Sequence, residues 1–231
     1  MNENTPQTQT NTRPTAHICE LNDSSLAQAR TIVSGGGIIV VPTDTVYGVA
    51  CSPFDTSAID AIFHAKHRPH TKSLQILLPS LEWVDKLDLH LSPALEKLSH
   101  ALLPGGFSPI ATAGPNCRLE TLRLVGDGGG ASIRTQAIRV PDSDPLHHIL
   151  EVTGPLAATS ANISGESPAT SAQQAAQALG TSVALYLDAG STPGPVASTV
   201  VEDDPSDPDN IHVVRDGVIA ESKLRDILKT A

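Results

Sequence analysis

Apolar residues recur along this chain in two patterns: short, fully apolar runs, and segments in which they return every three or four residues. The run GIIVVP at positions 37–42 is typical of a buried strand. The segment TSAIDAIFHAK at 56–66 places Ile59 and Ile62 on one helical face, and Thr56 is the expected N-cap residue. Segments of the two kinds follow one another, which is typical of an α/β protein.

The alternation continues to the end of the chain. Further strands are predicted at 73–78, 136–141, 155–160, 183–188, 198–202 and 211–217. Further helices are predicted at 24–34, opened by Asp23 or Ser24; at 92–103, capped by Ser92; at 144–152, capped by Asp144; and at 171–179 and 221–229. The glycine-rich segment 113–132 is expected to be an irregular loop. We therefore predict a disordered tail over residues 1–15 and one α/β domain over residues 16–231.

Composition narrows the class of function. The 231 residues carry a formal net charge of −10, which argues against sequence-independent binding to nucleic acid through Lys and Arg. Three widely spaced cysteines, Cys19, Cys51 and Cys117, form no CxxC pair and indicate reduced thiols. Neither a signal peptide nor an apolar run long enough to span a bilayer is present, so we expect a cytoplasmic protein without membrane contact.

Residues 40–49, VVPTDTVYGV, begin as an apolar strand and end in hydroxyls, a carboxylate and a ring. A strand that runs into polar residues at its C-terminal end often delivers side chains to a cleft in α/β proteins. Pro42, Thr43 and Asp44 also suit a plain turn. These ten residues alone leave both interpretations open.

A basic cluster follows the second predicted helix. Lys66, Arg68 and Lys72 lie within seven residues of an acidic chain and would suit an anion with several charges, such as a polyphosphate. Cations at a helix C-terminus are also expected on dipole grounds alone. The interleaved histidines have no acidic or Cys partner nearby, so a metal site is disfavoured.

Two further features place polar groups on predicted strands. In ATSANISG at 158–165, Ser160 and Asn162 follow an apolar strand and could bind phosphate oxygens or serve only as turn residues. Arg139 lies between Ile138 and Val140, so its side chain points to the opposite face of the strand and indicates a cleft or an ion pair.

Several familiar nucleotide and hydrolase motifs are missing. The sequence has no GxxxxGK[ST], and GDGGG at 126–130 does not complete GxGxxG. No GxSxG surrounds Ser160, so a hydrolase triad has little support. If the chain binds a nucleotide, it does so by another route.

The motifs PTDTVYGV, AKHRP with Lys72 after it, IRVP, SANISG, STVV and VVRDG occur in this order between Gly36 and Gly217. Together they resemble the YrdC/TsaC family of threonylcarbamoyl-AMP synthases. The resemblance implies a single-domain twisted open mixed sheet with surrounding helices and a deep ligand cleft. It also implies that the polar end of the strand at 40–49 forms part of that cleft.

The resemblance carries over residue by residue. It implies catalytic roles for Lys66, Arg68, Ser160 and Asn162, ATP contacts by Arg68, Lys72, Thr135, Asn162, Thr170 and Arg215, and threonine contacts by Thr45, Arg139, Ser160 and Ser198. ATP is then a substrate, Mg²⁺ accompanies its phosphates, and the protein itself supplies no metal site.

Three positions depart from the family pattern. LPGGFSPI at 103–110 stands where a Trp-Pro-Gly-Pro-Leu-Thr stretch is usual, Leu77 stands where some members have histidine, and Ser73 replaces a proline. These departures concern pocket detail more than reaction class. The chain ends at Ala231, so we expect the short form of the family, without the extra C-terminal domain.

The implied reaction joins L-threonine, bicarbonate and ATP into threonylcarbamoyl-AMP with release of pyrophosphate, for N6-threonylcarbamoyladenosine at tRNA position A37. Its implied partners are downstream threonylcarbamoyl-transfer proteins, with weak tRNA contact at most. Two alternatives stay open at this point: a carbamoyl-transfer relative that uses carbamoyl phosphate, and a non-catalytic RNA-binding module.

Overall fold

Twelve strands pair into one mixed sheet within the residues that the computed structural model describes, 16–126, 132–194 and 196–230. The strands are β1 Ile18–Glu20, β2 Ile39–Val41, β3 Gly48–Cys51, β4 Gln75–Leu77, β5 Leu89–His90, β6 Phe107–Ala113, β7 Arg123–Gly126, β8 Ser132–Arg139, β9 Leu156–Ser160, β10 Leu185–Asp188, β11 Thr199–Asp203 and β12 Ile211–Arg215. The helices are α1 Asp23–Ser34, α2 Thr56–Ala65, α3 Glu82–Lys86, α4 Pro93–Leu102, α5 Asp144–Thr153, α6 Ala172–Leu179 and α7 Glu221–Lys229.

The strand order is β1-β10-β2-β3-β9-β4-β8-β6-β11-β12, with β5 paired to β6 and β7 paired to β8. Parallel pairs (β1 with β10, β10 with β2, β4 with β8, β6 with β11) stand among antiparallel ones. The predicted mixed α/β sheet with surrounding helices is therefore confirmed. The domain limits at 16 and 231 stay a prediction, and the tail predicted at 1–15 lies outside the described residues.

The alternation of side chains along the strands divides the core between the two faces of the sheet. Val40 and Val49 pack in one apolar cluster together with α2 and α6. Ile39 and Ala50, their sequence neighbours, pack in a second cluster with α1 and α5. A third cluster, which includes Phe107, joins β6, β11 and β12 to α4 and α7. Strands near the centre of the sheet are thus covered on both sides, which explains their fully apolar sequences.

Three predicted helix caps were wrong by one or two residues. The cap of α2 is Asp55 rather than Thr56: its carboxylate accepts hydrogen bonds from the backbone N–H groups of Ser57, at 2.9 Å, and Ala58, at 3.1 Å. Likewise Ser143, not Asp144, caps α5, and Asn22, not Asp23 or Ser24, caps α1. In each case several short polar residues adjoin, and the structure uses one that precedes the predicted cap.

The segment 113–132 is not entirely irregular. Arg123–Gly126 form β7, which pairs with β8 in an antiparallel register from Arg123 opposite Thr135 to Gly126 opposite Ser132. Pairing with a neighbouring strand stabilises it despite its exposed side chains. Residues 127–131 lie outside the described part of the chain. Among the described residues, no helix combines the length and apolar character needed to cross a bilayer.

Candidate active site

A cavity of about 520 Å³ lies against the sheet, a volume typical of small-molecule sites. Its wall takes residues from strands β3, β4, β6, β7, β8, β9, β11 and β12 and from the segments before β3 and before β4. Five of the chain's 15 basic residues line it: Arg68, Lys72, Arg123, Arg139 and Arg215. The cavity of this acidic protein therefore attracts anions.

Arg139, at the end of β8, is the most buried of the five basic residues that line the cavity. The residue is 1% exposed. Its side chain donates from Nη2 to Asp44 Oδ1 at 2.6 Å, from Nη1 to Thr45 Oγ1 at 2.9 Å and from Nε to the Gly105 carbonyl at 2.9 Å. Burial lowers the pKa of this guanidinium, and Asp44 opposes the shift. The prediction of a cleft or an ion pair is confirmed in both parts, because Arg139 pairs with Asp44 and also lines the cavity.

Residues 42–47 form a turn and a cavity wall at once. The Thr43 hydroxyl accepts hydrogen bonds from the backbone N–H groups of Thr45, at 3.0 Å, and Val46, at 3.2 Å, and it donates to the Val46 carbonyl at 2.7 Å. Thr43, Thr45 and Val46 line the cavity. Tyr47 does not, since its ring is fully buried and its hydroxyl donates to the Gly190 carbonyl at 2.6 Å. Residues 42–47 are therefore both a turn and part of the cavity wall, and Tyr47 belongs to the core rather than to the cavity.

Arg68 follows the C-terminal end of α2 and projects into the cavity. Its Nη2 donates to the Ser73 carbonyl at 2.7 Å, and the Ser73 hydroxyl accepts from Arg123 Nη1 at 3.0 Å. Within the described residues, Arg68 Nε is buried without a hydrogen-bond partner. Ser73 thus connects two cavity arginines; a proline would keep the carbonyl that Arg68 uses but would lack the hydroxyl that Arg123 uses.

Lys66, two residues earlier, behaves differently. It is 1% exposed and is not part of the cavity wall. Its Nζ donates to the carbonyls of Ser160 and Asn162, the latter at 2.5 Å, while its own carbonyl accepts from the Ser164 N–H at 2.9 Å. Burial, followed by the positive charges of Arg68 and Lys72, lowers the pKa of Lys66 to about 7. The side chain holds the loop after β9 in place.

Asn162 stabilises the same loop from within. Its Nδ2 donates to the carbonyls of Ile163 and Glu166, each at 2.8 Å, and its buried Oδ1 has no partner among the described residues. Asn162 is 6% exposed and is not on the cavity wall, whereas Ser160 is. The geometry therefore gives Ser160 direct access to a ligand and gives Asn162 the task of shaping its loop.

Ser198 and Arg215 form one unit on the far wall. Arg215 donates from Nε and Nη2 to the Ser198 carbonyl, at 3.1 and 2.8 Å, and from Nη2 to its hydroxyl at 3.0 Å. The Ser198 hydroxyl also lies 2.8 Å from that of Ser108. A Cβ at Gly217 would lie 2.3 Å from the Ser198 carbonyl carbon, so only glycine permits this close approach of the two loops.

The structure brings most of the expected site residues to one cavity. The following line it: Thr45, Arg68, Lys72, Thr135, Arg139, Ser160, Ser198 and Arg215. Lys66, Asn162 and Thr170 lie outside its wall; the Thr170 hydroxyl donates to Gln174 Oε1 at 3.1 Å. The functional role of each remains a prediction.

Sequence reasoning missed several polar residues of this site. Gln75, Arg123, Thr159 and Glu202 line the cavity, and Asp44 fixes Arg139. The alternation of side chains along the predicted strand 198–202 could have indicated Glu202, because residues two apart lie on the same side of a strand and Val200 also lines the cavity. Arg123 gave no such signal, since its strand was not predicted.

The departures from the family pattern surround this cavity. Leu77 is fully buried and lines it. In the segment 103–110, the Gly105 carbonyl accepts from Arg139, and the Ser108 hydroxyl contacts Ser198 and donates to Gln75 Oε1 at 3.1 Å. The divergent segment therefore supports the residues of the cavity.

Comparison with known proteins shows which family this chain belongs to. The family model described as "Telomere recombination", for Sua5, YciO and YrdC proteins, matches residues 31–217. The chain belongs to the Sua5/YciO/YrdC family. A Mycobacterium tuberculosis protein is 31% identical over 209 residues, which cover 90% of this chain and 91% of that relative. The resemblance to the YrdC/TsaC family is thereby confirmed.

Other members of the Sua5/YciO/YrdC family are longer or have known structures. Threonylcarbamoyl-AMP synthase of Bacillus subtilis is 30% identical over 212 residues, 90% of this chain and 57% of that relative. The structure of Pyrococcus abyssi Sua5 complexed with L-threonine is similar to this one, with a TM-score of 0.78 at 25% identity, over 93% of this chain and 61% of that chain.

Proposed function

We propose that this chain synthesises L-threonylcarbamoyl-AMP from L-threonine, bicarbonate and ATP and releases pyrophosphate. The observation that carries the proposal is a cavity, in a member of the Sua5/YciO/YrdC family, whose wall combines a buried arginine with a cluster of basic side chains. Relatives named threonylcarbamoyl-AMP synthase, and one solved with L-threonine, support it.

The amino acid fits the end of the cavity that Arg139, Thr45 and Ser198 form. A guanidinium has five N–H groups, and Arg139 uses three of them on Asp44, Thr45 and Gly105. Two N–H groups, one on each terminal nitrogen, stay available for a carboxylate. Asp44 orients the guanidinium, and the hydroxyls of Thr45 and Ser198 can bond to the threonine side chain.

The phosphates fit against Arg68, Lys72 and Arg215. Burial lowers the pKa of Arg68 and of Arg215, and in each case a neighbouring arginine adds to the shift, yet both guanidinium groups stay charged at neutral pH. Repulsion among adjacent cations favours binding of a polyanion, which compensates their charges. The buried Arg68 Nε, without a partner among the described residues, offers an additional donor.

The reaction then proceeds by positioning and charge neutralisation. The threonine amine and bicarbonate form an N-carboxylate with loss of water, and one of its oxygens attacks the α-phosphorus of ATP. The bond from the α-phosphorus to the bridging oxygen breaks, and pyrophosphate leaves with both electrons of that bond. Basic side chains that stabilise the leaving charge contribute to the rate because they are fixed before the reaction begins.

Mg²⁺ enters this scheme with the nucleotide. Within the described residues, no group of three or more His, Cys, Asp or Glu side chains is arranged to hold a metal ion. Mg²⁺ is commonly bound by one or two carboxylates together with substrate phosphates, and it neutralises their charge. Because most of these ligands would come from the phosphates, we expect Mg²⁺ in this cavity only when ATP is bound.

The product requires a protein that transfers its threonylcarbamoyl group to tRNA. We expect downstream transfer proteins to accept it for N6-threonylcarbamoyladenosine formation at A37, in the cytoplasm. The net charge of −10 predicts at most weak direct contact with tRNA.

Pyrophosphate release tests the proposal. We expect release that depends on L-threonine, bicarbonate and ATP, measured with each substrate omitted in turn. Equal release in the absence of threonine would contradict the synthase assignment, and tRNA binding without any ATP turnover would favour the RNA-binding alternative.

A further inference from the structure

Glu202 places a carboxylate on a wall that is otherwise basic. It is the one acidic residue among the described residues that line the cavity, whereas five of them are Lys or Arg. The structure shows no ion pair for it in the described part of the chain. A negative charge here weakens binding of phosphates, so phosphate binding does not account for it. A carboxylate accepts hydrogen bonds, so it suits a ligand group that donates them.

The position of Glu202 along β11 separates it from the amino-acid end of the cavity. Thr199 and Val201 are buried on the other side of the strand, whereas Ser198, Val200 and Glu202 line the cavity. Glu202 lies four residue steps of extended chain beyond Ser198, roughly 13 Å. Threonine held at Ser198 is too short to reach Glu202.

Apolar residues flank Glu202 within the cavity wall, whereas its partner on β12 is His212, an exposed residue outside that wall. Val200 precedes it on the same side, and the parallel register of β11 with β6, Val201 opposite Pro109, places Ile110 beside it. Val125 and Val214 line the cavity as well. Apolar side chains suit the face of a sugar or base, whereas phosphates find their partners among the basic residues elsewhere on the wall.

We propose that Glu202 accepts hydrogen bonds from the ribose hydroxyls of ATP and so makes the cavity selective for ribonucleotides over deoxyribonucleotides. The inference rests on the proposed function, which supplies ATP as the ligand. A carboxylate can accept from both neighbouring hydroxyls of a ribose at once. The adenine base has only its amino group to donate to a carboxylate, and the ring nitrogen next to that group carries a lone pair that repels a carboxylate.

Calorimetric binding of three nucleotides tests this assignment: ATP, 2′-deoxy-ATP and purine riboside triphosphate, which lacks the amino group. The proteins are wild type, Glu202→Ala, Glu202→Gln and, as a matched control, Asp203→Asn, which changes the exposed next residue of the same strand, outside the cavity wall. We expect wild type and Asp203→Asn to bind ATP about tenfold to a hundredfold more tightly than 2′-deoxy-ATP. In Glu202→Ala this preference should disappear, and Glu202→Gln should retain part of it.

Three results would overturn the inference. The first is equal affinity of wild type for ATP and 2′-deoxy-ATP, and the second is a preference for ATP over 2′-deoxy-ATP that survives in Glu202→Ala. The third is a loss of wild-type affinity with purine riboside triphosphate but not with 2′-deoxy-ATP, which would assign Glu202 to the base. A Glu202→Ala variant that needs more Mg²⁺ for every nucleotide, with its ribose preference intact, would assign the carboxylate to the metal instead. Because binding is measured without turnover, a failure of the synthase proposal in the pyrophosphate assay is seen separately.

Discussion

Arg139 and Arg225 both form ion pairs, but the surroundings of the two arginines differ. Arg139 lines the cavity, is 1% exposed and faces the single carboxylate of Asp44. Arg225 lies on α7 near the surface, where it contacts three carboxylates, Asp207, Asp209 and Glu221, at distances from 2.7 to 3.1 Å. Arg139 donates one hydrogen bond from each nitrogen and so leaves two of its five N–H groups unused among the described residues. Arg225 places each terminal nitrogen against two carboxylates and its Nε against Glu221.

This difference separates a binding role from a structural one. A buried guanidinium with free N–H groups beside a cavity has unused capacity for an anion. A guanidinium surrounded by carboxylates joins the loop at 204–210 to α7 and has nothing left for a ligand. The same residue type thus serves two purposes, and the number of donors left over distinguishes them.

The largest effect is expected at Arg139. Arg139→Gln removes the charge that we assign to the threonine carboxylate, and kcat/KM for threonine should fall by a hundredfold or more, from about 3 kcal/mol lost with charge-assisted hydrogen bonds. The variant also leaves the partly buried Asp44 carboxylate without its partner, which destabilises the fold. Arg139→Gln combined with Asp44→Asn relieves that cost, so melting and turnover of both variants separate stability from function. Wild-type activity in either variant would remove Arg139 from the site.

Arg68 comes second. Arg68→Ala should lower activity roughly tenfold to a hundredfold, the equivalent of about 1.5–3 kcal/mol for one charge-assisted phosphate contact. The fold should be retained, since the side chain is half-buried at the cavity rather than in the core. Arg30→Ala, an exposed arginine of α1 away from the cavity, is the matched control. A variant with full activity and a slightly lower Tm would reduce Arg68 to a partner of the helix dipole.

Lys66, a buried cation next to the cavity residue Arg68, should make the stability of the protein depend on pH. Burial lowers its pKa to about 7 in the folded protein, while the unfolded side chain keeps its proton to about pH 10.4. Between these values the unfolded state binds more protons, so the free energy of unfolding should rise with pH by up to about 1.4 kcal/mol per unit, and it should level off below pH 7. Denaturant unfolding of wild type and Lys66→Met isolates this contribution. Parallel pH profiles of the two proteins would show that Lys66 stays charged in the fold.

Arg225→Gln should have the smallest effect on function. Its hydrogen bond holds the pKa of Asp207 at about 2, below the usual value near 3.9. The stability gained from this pair is present above pH 4 and is lost as the pH falls toward 2. We therefore expect Arg225→Gln to lower Tm at neutral pH by a few degrees at most, to flatten the fall of Tm in acid, and to leave turnover unchanged. Reduced turnover with an unchanged Tm would mean that α7 influences the cavity.

Much of the fold could be predicted because periodicity and caps are local signals. The strands at β2, β4 and β9 and the helix α4, with Ser92 and Pro93 at its start, lie where the sequence indicates. The strand β7 could not be predicted, since its exposed residues form a strand only by pairing with β8. The caps at Asp55 and Ser143 were missed because adjacent residues offer equivalent oxygens.

The sequence predicted which residues belong to the candidate site better than it predicted how their side chains are oriented. Arg139 between two apolar residues indicated a cleft, and the structure shows one. Nothing local distinguishes Lys66 from Arg68, two cations at one helix end. Their different orientations depend on the loop after β9, whose carbonyls enclose Lys66 Nζ. Contacts between segments distant in sequence are decided by the whole fold.

The most direct test of the proposed activity follows one carbon atom. The protein is incubated with ATP, L-threonine and ¹³C-bicarbonate, and the nucleotide products are analysed by mass spectrometry. We predict an adenylate that contains both threonine and one ¹³C, formed together with pyrophosphate and absent when threonine is omitted. A threonine adenylate without the label, or AMP and pyrophosphate formed without any threonine-containing nucleotide, would contradict the synthase assignment.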